Sequence, residues 1–129
     1  MKDVALKSVV PILFVRDVPA SAAYFNEKLG FAIDFLYGDP PFYGAVSRGE
    51  VCVHLRCVDR PNFAELAARE VSLILATIEV SDLSSLFEEF KRRGADFAQE
   101  PTKQPWGGTD FQIRDPDGNV VSFVSYATD

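Results

Sequence analysis

Residues 104–123 read QPWGGTDFQIRDPDGNVVSF, and this stretch decides the fold class of the chain. Asp110 to Arg114 alternates polar and apolar residues, which is typical of a strand, and residues 119–124 are apolar enough to return as a second one. Between them, Pro116 fixes φ at the first corner of a turn and Gly118 permits a positive φ after it. The stretch therefore predicts an antiparallel hairpin that follows a loop built from Pro, Trp and two glycines.

The rest of the chain repeats one order of elements twice. The first half predicts a strand over 9–15, a helix over 20–29 and strands over 31–37, 42–47 and 51–57. The second half predicts a strand over 73–80, a helix from 81–85 to Gly94, a short strand over 96–98 and the closing hairpin. Aligning Val15-Arg-Asp-Val18 with Val80-Ser-Asp-Leu83 also places Phe25 over Phe90. Both halves read β-α-β-β-β, which predicts an α+β protein built from two similar modules.

Composition limits the classes of function. The 129 residues, of which 47% are hydrophobic, suit one globular domain over 1–129. A net charge of −6 argues against nucleic acid or an anionic membrane surface as a partner, because both bind basic proteins. No apolar run approaches the roughly 18 residues that span a bilayer, and the N-terminus lacks the long apolar stretch of a signal peptide. We expect a cytoplasmic protein.

The two cysteines, Cys52 and Cys57, lie five positions apart on one predicted strand. Successive strand residues face opposite sides of a sheet, so these two side chains diverge rather than bridge. We expect two free thiols, as in proteins of a reducing compartment.

The tandem β-α-β-β-β repeat, closing on Asp115-Pro-Asp-Gly-Asn119, resembles the vicinal oxygen chelate superfamily, which includes glyoxalase I, bleomycin resistance proteins and extradiol dioxygenases. Within that superfamily the chain is most similar to the bleomycin resistance proteins. Three segments resemble their pattern: Val10-Pro-Ile-Leu-Phe-Val-Arg-Asp-Val-Pro19, Leu29-Gly-Phe-Ala-Ile-Asp-Phe35 and Gln104-Pro-Trp-Gly107. The resemblance implies two tandem modules, about 8–57 and 72–126 with a linker over 58–71, whose strands curl into a cup that holds the ligand.

The resemblance also implies where a metal would bind. Enzymes of this superfamily hold a divalent metal with residues, mostly His or Glu, from the first, fourth, fifth and eighth strands. The matching positions here are Val10, His54, Leu75 and Ser122, of which only His54 is a strong ligand. Moving two residues along each strand keeps the same face and offers Ser8 or Ile12, Cys52 or Arg56, Thr77, and Val120 or Val124. Neither choice supplies three or four ligands, so we expect no metal and no other cofactor.

Seven residues are the candidates for ligand binding, and no residue is assigned a catalytic role. They are Trp106, His54, Phe35, Phe42, Arg56, Glu79 and Ser122. Trp106 either stacks on a planar ligand, as the matching Trp of bleomycin resistance proteins implies, or plugs the core. His54 either binds a ligand or pairs with a neighbouring strand residue. Glu79 either faces the cup, where it suits a cationic ligand, or is a solvated residue at a strand end.

These observations predict a metal-free binding protein of the bleomycin-resistance type. It would sequester a planar or cationic small molecule, such as a bleomycin-like compound, in a cup completed by a second chain of a homodimer. The alternative is a metal-dependent lyase or isomerase of the glyoxalase kind, or a dioxygenase, against which the metal-ligand positions argue. A structural or regulatory module without a ligand is the third possibility.

Overall fold

A computed structural model describes residues 3–126, which form eight strands and three helices. Their bounds are β1 Ile12–Val15, α1 Val18–Leu29, β2 Ala32–Gly38, β3 Pro41–Arg48, β4 Val51–Cys57, α2 Phe63–Arg69, β5 Ala76–Glu79, α3 Leu83–Arg93, β6 Phe97–Lys103, β7 Thr109–Arg114 and β8 Val120–Ser125. The β-α-β-β-β order therefore occurs twice, and the predicted α+β class is confirmed.

Each module builds one four-stranded mixed sheet. Sheet one has the order β1-β4-β3-β2, and sheet two has the order β5-β8-β7-β6. In each, the first strand of the module lies parallel to the last, and the other pairs are antiparallel. The two sheets thus have the same topology, as the repeated element order predicts.

The long helices of the two modules begin in the same way. The Asp17 side chain accepts a hydrogen bond from the amide of Ala20 at 3.0 Å, and Asp82 accepts one from Ser85 at 3.1 Å. These carboxylates satisfy amide groups that have no partner inside the helix. The two aspartates occupy equivalent places in the repeat that the sequence alignment proposed.

The cores of the two modules merge into one cluster of buried apolar side chains. Phe25 of α1 and Phe90 of α3 both belong to it and are almost completely buried. The Phe90 ring lies 5.7 Å from that of Phe111 and 5.2 Å from that of Phe123, in edge-to-face geometry. Burying such rings stabilises α3 against sheet two, since each removes a large apolar area from water.

An ion-pair network joins the modules at the surface. The Glu89 carboxylate of α3 accepts two hydrogen bonds from Arg48 of β3, each at 2.8 Å, and a third from Arg93 at 2.8 Å. Arg48 also donates to the carbonyl oxygen of Leu29, at the end of α1. The bidentate geometry fixes the orientation of the Arg48 and Glu89 side chains. Ordinary exposed ion pairs lack this constraint.

Several predicted element bounds are corrected. Residues 9–11 and 73–75 lie outside the strands, since β1 begins at Ile12 and β5 at Ala76. The short strand predicted over 96–98 is instead β6, which continues to Lys103. Pro101 is tolerated because β6 is an edge strand whose pairing with β7 is irregular between Gln99 and Thr102.

The segment predicted as a linker contains the short helix α2, which packs against the turn of the closing hairpin. Gly118 has a φ of +82°, and a Cβ there would lie 2.7 Å from the Cβ of Ala64. Glycine is therefore required both by the backbone conformation and by the close approach of α2. Cys52 and Cys57 are free, as predicted. No helix within residues 3–126 has both the length and the apolar character needed to span a membrane.

Candidate functional site

One face of sheet one packs on the core and the other is open. In β4, Val53 and Leu55 are buried, whereas His54 is half-buried and Arg56 is exposed. This alternation follows from the strand period of two. We call the second surface, which carries Phe35, Tyr43, His54 and Arg56, the open face of sheet one.

His54 lies at the centre of this open face. Its Nδ1 is 2.9 Å from the hydroxyl of Tyr43, and its ring stands edge-on to Phe35, with the ring centroids 6.0 Å apart. The bond to Tyr43 fixes the ring orientation and leaves Nε2 as the nitrogen that can meet a ligand. Both sequence interpretations of His54 thus have support, because it pairs with a neighbouring strand and also lies beside an exposed aromatic ring.

Arg56 joins the same group, but Phe42 does not. Arg56 lies between Phe14 of β1 and Tyr43 of β3, and it is exposed. Among the described residues, the rings in contact with His54 are those of Phe35 and Tyr43. Phe42 lies near the tip of the β2–β3 hairpin, where its ring contacts Tyr37 at a centroid distance of 5.5 Å. The ligand role of Phe42 stays a prediction.

The corresponding face of sheet two is polar and buried. Asp110 of β7 is 6% exposed, and Ser122 of β8 is 1% exposed. Asp110 accepts hydrogen bonds from Gln99 at 3.0 Å, from Gln104 at 2.8 Å and from the Ser122 hydroxyl at 3.3 Å. Ser122, predicted as a ligand contact, is buried in this chain and donates its hydroxyl hydrogen bond to Asp110.

Trp106 lies on the loop that leads into β7. Its side chain is 77% exposed, and the interpretation of Trp106 as a core plug is therefore wrong. The loop closes through a hydrogen bond from the amide of Gln104 to the carbonyl oxygen of Gly108, at 3.0 Å. Around Gly107 there is open space. The ring is thus presented on a short closed loop with a free surface for a partner.

Glu79 shares a face of sheet two with Ser122 but borders a cavity that the other predicted ligand residues do not line. It ends β5 opposite Val124 and lines a cavity of about 550 Å³ between the β3–β4 turn and the start of α3. Arg48 and Asp82 also line that cavity, but none of the other six candidates does. The ligand role of Glu79 stays a prediction, and the chain turns into α3 a few residues after it.

Metal-ligating side chains are not grouped. Among residues 3–126, no three His, Cys, Asp or Glu side chains lie close enough together to hold a metal ion. Of the family's four ligand positions, Val10 and Leu75 fall outside the strands. Cys52 shares the face of His54, but burial, and then the Asp34 carboxylate, raise the pKa of its thiol. A protonated thiol is a poor nucleophile and a poor ligand.

Sequence reasoning missed the polar cluster around Asp110. Asp110 and Gln112 alternate with the buried Phe111 and Ile113 along β7, and all four are buried. Two polar residues on one face of a strand next to an apolar face are a recognisable signal for a buried polar layer.

Comparison with known proteins identifies the family. The family model of the "Glyoxalase/Bleomycin resistance protein/Dioxygenase superfamily" matches residues 5–123. The chain belongs to this superfamily. Among its curated relatives, the bleomycin resistance protein of Geobacillus stearothermophilus is 30% identical over 125 residues, which cover 88% of this chain and 92% of that protein.

Solved structures of the superfamily have the same fold. The bleomycin-binding protein from bleomycin-producing Streptomyces verticillus, complexed with copper(II)-bleomycin, is 31% identical, with a TM-score of 0.75 over 95% of this chain and 98% of that one. A glyoxalase-related enzyme from Clostridium phytofermentans reaches the same TM-score, over 98% and 100% of the two chains, at 20% identity. The second likeness shows the fold alone, because binding proteins and enzymes of the superfamily share it.

Proposed function

We propose that this superfamily member is a metal-free binding protein that sequesters a bleomycin-type small molecule. One observation carries the proposal: Trp106, 77% exposed on its closed loop, presents a large aromatic ring to solvent. A large exposed ring held in a defined place is typical of a binding surface rather than of a core. The 30–31% identity to bleomycin resistance and binding proteins supports the same ligand class.

The open face of sheet one supplies the second half of the site. Phe35 offers an apolar edge, while Nε2 of His54 and the Arg56 guanidinium offer hydrogen bonds that orient a ligand. Stacking and apolar burial would provide most of the affinity, and the polar groups would provide selectivity. The net charge of −6 favours a cationic ligand mainly through steering.

The site needs a second chain. Trp106 and the open face of sheet one belong to different modules, and both surfaces are exposed. Val4, Leu6 and Val9 near the N-terminus are also apolar and at least 86% exposed. Apolar side chains exposed to this degree are covered in many small proteins by a partner. A twofold homodimer would bury them and set the Trp106 loop of one chain against the open face of the other.

Binding is tested by calorimetric titration of the protein with metal-free bleomycin and with copper(II)-bleomycin. The proposal expects one ligand per chain and a dissociation constant in the micromolar range or tighter. The ligand recovered afterwards should have an unchanged mass, since sequestration alters no bond. Absence of binding at about 100 μM ligand, a level that detects interactions of roughly −5 to −6 kcal/mol, contradicts the proposal. A chemically altered ligand would instead support an enzyme.

A further inference from the structure

We infer that the Gln104–Asp110 pair positions Trp106, an inference that rests on the proposed function for its consequence in binding. The side-chain amide of Gln104 donates to Oδ1 of Asp110 at 2.8 Å. Gln104 is also the first residue of the loop, and Asp110 is part of β7. The pair therefore links the Trp106 loop to the rigid sheet.

The loop closes on Gln104. The Gln104 amide donates to the carbonyl oxygen of Gly108 at 3.0 Å, and the amide of Gly107 donates back to the Gln104 carbonyl oxygen at 3.1 Å. These two bonds make the loop one closed unit, so fixing Gln104 fixes the base of that unit. At the far end, Gly108 lies close to the ring of Tyr126, since a Cβ there would be only 2.9 Å from that ring.

Asp110 can hold the loop in place because its own side chain is buried and fixed by several hydrogen bonds. It is 6% exposed, and besides Gln104 it accepts hydrogen bonds from Gln99 and Ser122. A carboxylate accepts several donors at once, and each charge-assisted bond is stronger than a neutral one. Removing the Gln104 side-chain amide leaves Asp110 bound to Gln99 and Ser122, and it frees only the Trp106 loop.

This arrangement would keep the Trp106 loop ordered although the ring itself is exposed. An exposed ring on a free loop loses conformational entropy when it binds, and that loss weakens affinity. A loop fixed beforehand avoids part of the loss. Gln104 and Asp110 thus act on the ligand through Trp106 without contacting it.

The test uses the two glutamines that donate to the same Asp110 oxygen. Gln104→Met removes the bond from the loop, and Gln99→Met removes a matched bond from β6. Trp106 is the sole tryptophan of the chain, so its fluorescence anisotropy in the free protein reports loop order directly. We expect Gln104→Met to lower the anisotropy and to weaken bleomycin binding by about three- to tenfold, and Gln99→Met to change each by less than about twofold.

Two further outcomes separate the inference from its alternatives. Asp110→Asn retains the Oδ1 acceptor, so its Trp106 anisotropy should equal that of the wild type. If the backbone alone held the loop, Gln104→Met would leave the anisotropy unchanged. Unchanged anisotropy in Gln104→Met, with folding verified by its urea unfolding midpoint, overturns the inference. If the wild-type protein binds no bleomycin, the proposed function fails while the anisotropy comparison still decides the positioning role.

Discussion

The side-chain amide of Asn119 donates a hydrogen bond to the carbonyl oxygen of Phe14 at 3.0 Å, across 105 positions of the chain. The same amide donates to Asp115 at 2.9 Å. In the adjoining turn, Asp117 accepts a hydrogen bond from the amide of Arg16 at 3.1 Å. The turn that closes the second module therefore also fastens that module to β1 of the first.

Asn119→Ala should destabilise the protein by about 1–3 kcal/mol, because it leaves the partly buried Phe14 carbonyl and one Asp115 oxygen without this donor. Urea unfolding should show a lower midpoint with an unchanged m-value. Asn62→Ala is the matched control, since Asn62 is exposed and makes no side-chain cap bond. An equal effect of the two substitutions would show that the link between the modules contributes nothing specific.

Glu89 should make stability depend on pH below about 4.5. Its hydrogen bond with Arg48, and then that with Arg93, lower the pKa of Glu89 to about 2. An acid whose pKa is lower in the folded state stabilises the fold above its unfolded pKa and loses this contribution as pH falls toward the folded value.

Glu89→Gln should therefore be less stable than wild type at pH 7, and the difference should shrink between about pH 4.5 and 2. Urea unfolding of both proteins at pH 7, 5, 3 and 2 measures this difference in the free energy of unfolding. Glu88→Gln, an exposed neighbour in α3, is the control. A difference between wild type and Glu89→Gln that stays constant with pH would rule out the ion pair as its source.

Trp106→Ala should weaken bleomycin binding by about tenfold or more, since stacking by a large ring contributes on the order of 1–3 kcal/mol. The exposed position predicts an unchanged unfolding midpoint. Leu66→Ala removes an exposed apolar side chain from α2 and should leave the affinity unaltered. Wild-type affinity in Trp106→Ala would remove Trp106 from the site.

The protein should contain less than about 0.1 equivalent of zinc, nickel, manganese or iron when purified without a metal-binding tag. The physical reason is that Leu75 and Val10 stand where a metal site needs N or O ligands. Elemental analysis measures the content. Near-stoichiometric metal that His54→Ala abolishes would favour the enzyme interpretation.

Light scattering at micromolar concentration should give about twice the chain mass of 14.3 kDa, because a homodimer covers the exposed apolar residues. Replacing Leu6, which is 98% exposed, with Asp should shift the mass toward that of one chain. A monomeric wild-type protein would remove the shared site and leave Trp106 and His54 on separate surfaces.

The sequence alone determined the local structure and its repetition. The repeated order of elements aligns Asp17 with Asp82, and the turn at Pro116 and Gly118 closes the hairpin. Such signals act over a few residues and can be read without knowing the fold. Strand alternation likewise placed His54 and Arg56 on one face, because the period of two is fixed by backbone geometry.

Only the tertiary structure decided which residues meet. It set the ring of Phe42 against Tyr37, paired Ser122 with Asp110, and placed Glu79 in a cavity that Arg48 and Asp82 also line. It also linked Gln104 to Asp110 and Asn119 to Phe14. Side-chain partners distant in sequence depend on how two sheets, three helices and their loops pack together, and no local pattern encodes those distances.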